Sequence, residues 1–271
     1  MIGISDKEFN QLANFIKCNY GINLKDEKKT LVTGRLNNVL VENNFKSFSQ
    51  YIDYVMTDKT GKAAIILLNK ITTNHTFFMR ESNHFNYFKE IVLPFWTKAS
   101  FKKDLRIWSA GCSSGEEPYT LAMITDEYLG NEKAIWDAKI LATDISTKSL
   151  GLAVEGKYNN EEVEMLPVTW RINYFDKLDN QKYSIKDKIR KEVIYRRFNL
   201  MEEVFPFKKK FHVIFCRNVM IYFDNDTKNA LVDKFYNSLE YGGYLFIGHS
   251  ESLNRDKTKF KYIKPAVYRK E

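Results

Sequence analysis

Cysteine, proline and glycine are all scarce in this 271-residue chain, which has 3 Cys, 5 Pro and 12 Gly. Three cysteines are too few for a disulfide scaffold or a four-thiolate zinc site, and this usage fits a reducing compartment. So few turn-forming residues argue against an all-β fold with many turns. Charged residues interrupt every apolar run well before the roughly 18 residues of a membrane span, and the N-terminus lacks a signal-peptide pattern. We therefore expect a soluble cytoplasmic protein.

Apolar and aromatic residues are abundant, at 44% and 15% of the chain. This composition is too rich for an intrinsically disordered protein. The formal net charge of +8 is unevenly distributed, because residues 171–197 carry nine Lys and Arg against four Asp and Glu, and residues 254–271 carry seven against two. A basic periphery suits either a polyanionic partner or a solvated surface with no partner, and charge alone does not separate the two.

The N-terminal part of the chain shows helical spacing. Between Phe9 and Ile16, apolar residues recur every three to four positions, and Ser5 or Asp6 is placed to cap the start of this helix. Similar spacing predicts further short helices, four or five in all, over 30–40, 48–56 and 63–71. We expect residues 1–75 to form a helical N-terminal domain.

From Leu105 onward, short apolar runs end in small or acidic residues and alternate with helical stretches, which is typical of a parallel α/β sheet. The predicted strands are 105–110, 138–143, 213–216 and 244–248. The predicted helices between them are about 117–129, 146–155 and 226–240. Alternating aromatic and charged residues predict a small antiparallel insertion over 171–197 and a terminal hairpin over 260–269. We expect residues 76–271 to form one α/β domain that contains this insertion.

The segment from Trp108 to Tyr119, WSAGCSSGEEPY, joins the first predicted strand to a helix through small residues. Small residues let the backbone approach a ligand closely, and ligands of open α/β sheets lie at the carboxyl ends of the strands. The loop matches neither GxxxxGK[ST] nor GxGxxG, and Glu116 and Glu117 would repel a phosphate. An acidic helix start suits a ligand with an amine or a sulfonium cation. The alternative is a tight turn whose acidic residues favour the helix dipole.

Asp144 ends the second predicted strand. A carboxylate at this point accepts hydrogen bonds from the ribose hydroxyls in nucleoside-binding α/β folds. Taken alone, the residue fits better as the N-cap of the next helix. Because two such features occur at the ends of different strands, the pattern favours a nucleoside cofactor.

Two further segments carry candidate site residues. The strand predicted at 213–216 ends in Arg217 and Asn218, and Tyr222 follows on a loop that faces the reactive end of a cofactor in this topology. The alternative there is a capped strand with buried aromatic residues. Residues 72–80, TTNHTFFMR, lie at the junction of the two predicted domains, where polar groups beside two Phe and an Arg suit an interface site.

The pattern argues against metal and hydrolase chemistry. Cys112 and Cys216 have no CxxC partner, and the serines after Cys112 lack the GxSxG context of a hydrolase nucleophile. No HxxxH or HxxE pairing occurs among the four histidines, His75, His84, His212 and His249. We therefore predict no protein metal site.

These segments resemble signatures of the chemotaxis receptor glutamate O-methyltransferases, the CheR-type family. The similar motifs follow the family's order along nearly the whole chain and are TTNHTFFMR, WSAGCSSGEEPY, ATDI, FNLM, IFCRNVMIYF and GHSES. The resemblance implies a small all-α N-terminal domain and a seven-strand, Rossmann-like class I methyltransferase domain with an inserted small antiparallel β-subdomain. It also implies S-adenosylmethionine as the cofactor, no metal, and a monomeric cytoplasmic enzyme.

The resemblance implies nine contacts with S-adenosylmethionine, at Asn74, Thr76, Arg80, Glu117, Asp144, Asn199, Leu200, Arg217 and Asn218. Arg80 would pair with the methionine carboxylate or orient the substrate carboxylate. Glu117 would bind the amino group and Asp144 would bind the ribose, while Asn199 and Leu200 would contact the adenine. Tyr222 would lie near the methyl group that is transferred, so Arg80 and Tyr222 are the implied catalytic residues.

The implied reaction is an in-line attack by a glutamate side-chain carboxylate on the sulfonium methyl group, which gives a γ-methyl ester and S-adenosylhomocysteine. The implied partner is the cytoplasmic helical bundle of a chemoreceptor, and neither nucleic acid binding nor membrane insertion is expected. Two other classes stay open. One is a nucleic-acid methyltransferase, favoured only by the basic periphery, and the other is an inactive adapter that binds the cofactor and a partner.

Two features depart from the family pattern. The helix that carries Arg35 has Asn37 and Asn38 where other members often have arginines that face the receptor. We therefore expect other positively charged residues to dock the receptor. The candidates are Lys28, Lys29 and the basic insertion at 171–197. The turn at 177–182 is short and lacks glycine, unlike the loop of members that bind a receptor's C-terminal pentapeptide. We therefore predict an enzyme that does not depend on this pentapeptide.

Overall fold

The computed structural model describes residues 2–72, 74–179 and 181–271, so Thr73 of the 72–80 segment and Asn180 of the 177–182 turn lie outside the described residues. Its helices are α1 (Asp6–Tyr20), α2 (Lys29–Glu42), α3 (Phe48–Thr57), α4 (Lys62–Ile71), α5 (Ser82–Tyr87), α6 (Leu93–Ala99), α7 (Glu116–Leu129), α8 (Thr147–Glu155), α9 (Asn160–Glu164), α10 (Val168–Tyr174), α11 (Asp187–Arg190) and α12 (Asn225–Ser238). Its strands are β1 (Ile107–Ala110), β2 (Ile140–Asp144), β3 (Lys157–Asn159), β4 (Phe175–Lys177), β5 (Lys182–Ile185), β6 (Val193–Arg197), β7 (Phe211–Cys216), β8 (Leu239–Ile247), β9 (Lys261–Lys264) and β10 (Val267–Arg269). None of the described helices has the length and apolar character that a transmembrane span requires.

The N-terminal region is helical, as the spacing predicts, and α1 begins with a reciprocal cap. The Ser5 hydroxyl accepts a hydrogen bond from the amide of Glu8, while the Glu8 carboxylate accepts one from the amide of Ser5. The same carboxylate accepts hydrogen bonds from the amide and the hydroxyl of Ser49. Donors from Ser5 and Ser49 lower the pKa of Glu8 to about 2. One ionised side chain therefore starts α1 and ties it to α3.

The main sheet has the strand order β6-β2-β1-β7-β8-β10-β9 in the described part of the chain. Strands β6, β2, β1, β7 and β8 run parallel, and the β9–β10 hairpin closes the sheet antiparallel to β8. The α/β class, the helical N-terminal domain and the terminal hairpin predicted from the sequence are confirmed. Because β1, β2 and β7 are adjacent, the loops after Ala110, Asp144 and Cys216 meet at one edge.

The inserted subdomain has different limits from those predicted. It is a three-stranded antiparallel sheet of order β3-β5-β4, and β3 precedes the predicted range 171–197. The last predicted strand of the insertion is β6, which instead pairs in parallel with β2 at the edge of the main sheet. Alternating apolar and charged residues mark any half-buried edge strand, so the pattern cannot tell which of the two sheets a strand joins.

An aromatic cluster around Trp108 joins the N-terminal helices to one face of the sheet. The indole is fully buried, and its Nε1 donates to the Thr143 hydroxyl at 2.9 Å. Its ring centroid lies 4.8–5.9 Å from those of Phe198, Phe205, Phe207, Phe211 and Phe235. The core formed here includes buried residues of α1–α4. The two domains therefore share one apolar interior.

The turn between β1 and α7 depends on Gly115. This residue precedes α7 with a φ of +100°, in the left-handed region. A Cβ atom here would lie 2.9 Å from the Ala153 Cβ, 2.9 Å from the Tyr195 hydroxyl and 3.0 Å from that of Tyr158. Both the backbone conformation and the lack of space require glycine.

We expect Gly115→Ala to lower the free energy of unfolding by about 2–3 kcal/mol, from backbone strain and overpacking. Gly151→Ala is the matched control, because Gly151 lies within α8 and no atom lies within 4 Å of its added Cβ. The control should raise stability by up to about 1 kcal/mol. Urea unfolding of both variants checks this, and equal stabilities would contradict the assigned role of Gly115.

Candidate active site

A cleft opens at the carboxyl ends of β1, β2 and β7, on the side of the N-terminal helices. It encloses about 1030 Å³, including space open to solvent. The structure brings every residue of the predicted site to this cleft: Asn74, Thr76, Arg80, Glu117, Asp144, Asn199, Leu200, Arg217, Asn218 and Tyr222. They come from five separate segments of the chain.

Arg217 forms the centre of a buried ion network at the floor of the cleft. Its side chain is 2% exposed, with Nη1 3.0 Å from Glu117 Oε2 and Nη2 3.0 Å from Glu81 Oε2. Nη2 also donates to the backbone carbonyl of Arg80, and the guanidinium lies over the ring of Phe85. A buried guanidinium needs such partners, because an unpaired charge is very costly away from water.

Glu81 is a member of this network that the sequence analysis missed. Burial raises the pKa of its carboxyl, but the charge and hydrogen bond of Arg217 outweigh it together with hydrogen bonds from the His249 amide and the Asn218 side chain, so the pKa is lowered. The backbone of Glu81 has a φ of +56°, which is uncommon for a residue with a side chain. No local pattern marks the residue, because its partner Arg217 is distant in sequence.

The Glu117 carboxylate faces the cleft with its position fixed from two sides. Oε1 accepts a hydrogen bond from the Ser109 hydroxyl at 2.7 Å, and Oε2 pairs with Arg217. Each carboxylate oxygen has a second lone pair, so Glu117 retains the capacity to accept from a ligand ammonium group. Its neighbour Glu116 points away and is buried, which raises the pKa of that carboxyl to about 7. Of the two acidic residues at the helix start, only Glu117 lines the cleft.

Asp144 ends β2 with its side chain in the cleft. Oδ2 accepts a hydrogen bond from the amide of Ser113, and Oδ1 accepts one from the amide of Ser146, both at 2.9 Å. The alternative role as N-cap of α8 is wrong, because Ser146 caps that helix by accepting from the amide of Ser149. Burial raises the pKa of Asp144. The carboxylate is thus held rigidly where it can accept two hydroxyl groups.

The loop after β7 is shaped by Glu251 of the GHSES segment. Its carboxylate accepts hydrogen bonds from the amides of Asn218, Ile221 and Gly248 at 3.0, 3.1 and 2.6 Å. This loop carries Tyr222, which is half-buried. Burial raises the pKa of the Tyr222 hydroxyl, against the opposing positive charges of Arg80 and Arg35. Arg80 lines the cleft together with this phenol, and the charge of Arg35 lies near enough to act on it.

The N-terminal domain supplies one wall of the cleft through the end of α1, which is not part of the predicted interface site. Tyr20 and Ile22, at the end of α1 and just after it, line the cleft. The amide of Asn23 donates to the Tyr222 carbonyl at 2.8 Å, and the Asn199 amide group donates to the Asn19 carbonyl at 2.8 Å. These contacts join segments far apart in sequence, and no motif indicates them.

Comparisons with known proteins agree with this geometry. Residues 7–72 match the family model described as the all-alpha domain of CheR methyltransferase, and residues 74–269 match its SAM binding domain. A chemotaxis protein methyltransferase of Borreliella burgdorferi is 45% identical, over 99% of this chain and 96% of its own. A probable chemotaxis protein methyltransferase of Rhizobium etli is 37% identical, over 92% of this chain and 94% of its own. Chemotaxis protein methyltransferase 1 of Pseudomonas aeruginosa is 35% identical, over 92% of each chain.

The motifs, the fold and the full-length matches agree with one another, and this chain belongs to the CheR methyltransferase family.

Proposed function

We propose that this protein methylates glutamate side-chain carboxylates on the cytoplasmic helices of chemoreceptors, with S-adenosylmethionine as methyl donor. The observation that supports this most strongly is the convergence of ten residues of the family motifs on one cleft. The names of the relatives, chemotaxis protein methyltransferases, support the receptor as substrate. A glutamate acceptor and its γ-methyl ester product rest on the family resemblance.

The residues of the cleft suit S-adenosylmethionine in charge and in hydrogen-bonding capacity. Glu117 would accept hydrogen bonds from the amino group, and Asp144 would accept them from the two ribose hydroxyls. The Leu200 side chain would pack on the adenine, while the Asn199 side chain holds the wall in place through Asn19. Two carboxylates near the ligand also suit the positive charge of a sulfonium, which is the group that supplies the methyl.

The acceptor side of the reaction needs orientation rather than a base. A glutamate carboxylate is already deprotonated at pH 7. Arg80 and Arg35 would attract this carboxylate to the cleft, and Tyr222 would bound the path to the methyl group. Holding the two reactants in line is worth up to about 7–11 kcal/mol in favourable cases. We therefore assign Arg80 and Tyr222 to positioning of the reacting groups, with water excluded by the aromatic walls.

The burial and contacts of the α2 side chains bear on which of them can dock a receptor. The Asn37 side chain is buried, accepts a hydrogen bond from the amide of Ile2 and donates to the carbonyls of Ile2 and Thr33. It fixes the N-terminus and is not presented to a partner. Arg35 donates to the carbonyls of Lys70 and Ile71 at the end of α4. We propose that Arg35, exposed Lys28 and the basic insertion attract the acidic receptor helices by long-range charge.

Methyl transfer to the receptor is the test of this function. We expect tritiated S-adenosylmethionine to label membranes that contain the host's chemoreceptors, and mild alkali to release the label as methanol, because esters are alkali-labile. Asp144→Ala is the control, since it should abolish the labelling by this chain. Alkali-stable label would indicate another acceptor. Absence of label despite calorimetric binding of the cofactor would favour the adapter.

Arg80→Ala should reduce cofactor affinity or turnover by about 10–100-fold, the expected loss for one hydrogen-bonded charge. Arg80→Lys should fall between wild type and Arg80→Ala, because it keeps the charge without the planar fork. Lys98→Ala is the control, since it removes an exposed charge from α6, away from the cleft. Calorimetry and initial rates give both quantities. Values near wild type for Arg80→Ala would remove this residue from the site.

We expect no micromolar binding of a receptor C-terminal pentapeptide, because the turn after β4 is short and lacks glycine. Titration by calorimetry checks this. A family member with the longer, glycine-containing loop serves as the positive control under the same conditions. Micromolar binding that is lost when the β4–β5 turn is altered would reverse the prediction.

A further inference from the structure

Three metal-ligating side chains that are distant in sequence meet beside the Arg217 network. Glu81 precedes α5, His84 lies in its first turns, and His249 follows β8. One ligand atom from each lies within 4.8 Å of the other two. The sequence predicts no metal site because it shows no local histidine pairing, but folding brings these residues together from separate segments.

The described residues leave both nitrogens of the His84 ring without a hydrogen bond. The residue is 1% exposed, and among the described residues neither of its ring nitrogens has a hydrogen-bond partner. Its Nδ1 lies 3.4 Å from Glu81 Oε2 without making a hydrogen bond. A buried imidazole without partners is costly, and such a group calls for a ligand.

The distance between two of these atoms matches the ligand spacing of a tetrahedral ion. Two ligand atoms that each lie 2.0–2.1 Å from a tetrahedral zinc ion are about 3.3–3.4 Å apart, and the 3.4 Å between His84 Nδ1 and Glu81 Oε2 falls in this range. The His249 ring packs against the His84 ring with centroids 4.5 Å apart. His249 is exposed, so an ion can enter from solvent and keep a water ligand.

We propose that Glu81, His84 and His249 form a binding site for one divalent transition-metal ion of the zinc class. Two imidazoles and one carboxylate form a donor set that binds zinc in preference to calcium or magnesium. The positive charges of Arg217 and Lys264, which act on His84, oppose a cation there. Binding in the micromolar range is therefore expected, weaker than in a structural zinc site.

The site is coupled to the cleft through Glu81. This carboxylate pairs with Arg217, and Arg217 pairs with Glu117. A bound ion would share the Glu81 oxygen and place a second positive charge near the guanidinium. Zinc should therefore loosen the network that positions Glu117 and weaken cofactor binding; this consequence rests on the proposed function.

The test uses the full chain in a Cys18→Ser background, because Cys18 is an exposed thiol that binds zinc by itself. Cobalt is titrated first, and its binding is monitored by absorption in the visible range. Zinc is then added to displace the cobalt. We expect one equivalent to bind. His249→Ala should weaken binding by more than about tenfold, since even losses outside the ligand set cost about 10–100-fold.

His75→Ala is the matched control for metal binding, because His75 is exposed but lies outside the cluster. It should bind cobalt as the Cys18→Ser background does. Absence of saturable binding, or equal affinities for His249→Ala and this background, would overturn the site. The titrations are done without cofactor, so failure of the metal site and failure of the proposed function are distinguishable.

The coupling to the cleft is tested by measuring cofactor affinity with and without zinc. A cofactor affinity that zinc lowers in the Cys18→Ser background but not in His249→Ala would support the coupling, and an unchanged affinity would overturn it.

Discussion

The buried guanidinium of Arg217 is the interaction on which the site depends. It lies at the end of β7 and pairs with Glu117 at the start of α7 and with Glu81 before α5. Removing one partner from such a buried pair leaves an uncompensated charge, which typically destabilises a protein by about 3–5 kcal/mol. The three segments therefore hold one relative position, and Arg80, Asn218 and the loop that carries Tyr222 are positioned with them.

The cleft is closed by the domain that would also meet the receptor. Tyr20 and Ile22 line it, and Asn23 is joined by a backbone hydrogen bond to Tyr222. The helical domain and the sheet share one apolar core. A partner that binds the helices would therefore contact the same domain that supplies this wall of the cleft. If the proposed function holds, recognition of the receptor and orientation of its glutamate depend on the same contacts.

Much of this site was predictable, because the parallel strands of the sheet end in short segments of informative residues. Glu117, Asp144 and Arg217 follow adjacent strands, and topology alone brings them together. Glu81, Tyr20 and the His84–His249 contact could not be predicted, since they depend on packing between distant segments that leaves no periodic signal. The predicted limits of the insertion were wrong for a related reason. Strand β6 has the alternating pattern of an edge strand, and only its pairing with β2 shows which sheet it joins.

The most direct test of the cleft as the cofactor site is a crystal structure of the chain with S-adenosylhomocysteine. We predict that the ribose hydroxyls lie within hydrogen-bond distance of Asp144, that the amino group contacts Glu117, and that Arg217 stays paired with both Glu81 and Glu117. A ligand bound elsewhere, or bound in the cleft without contact to Asp144 and Glu117, would contradict this prediction.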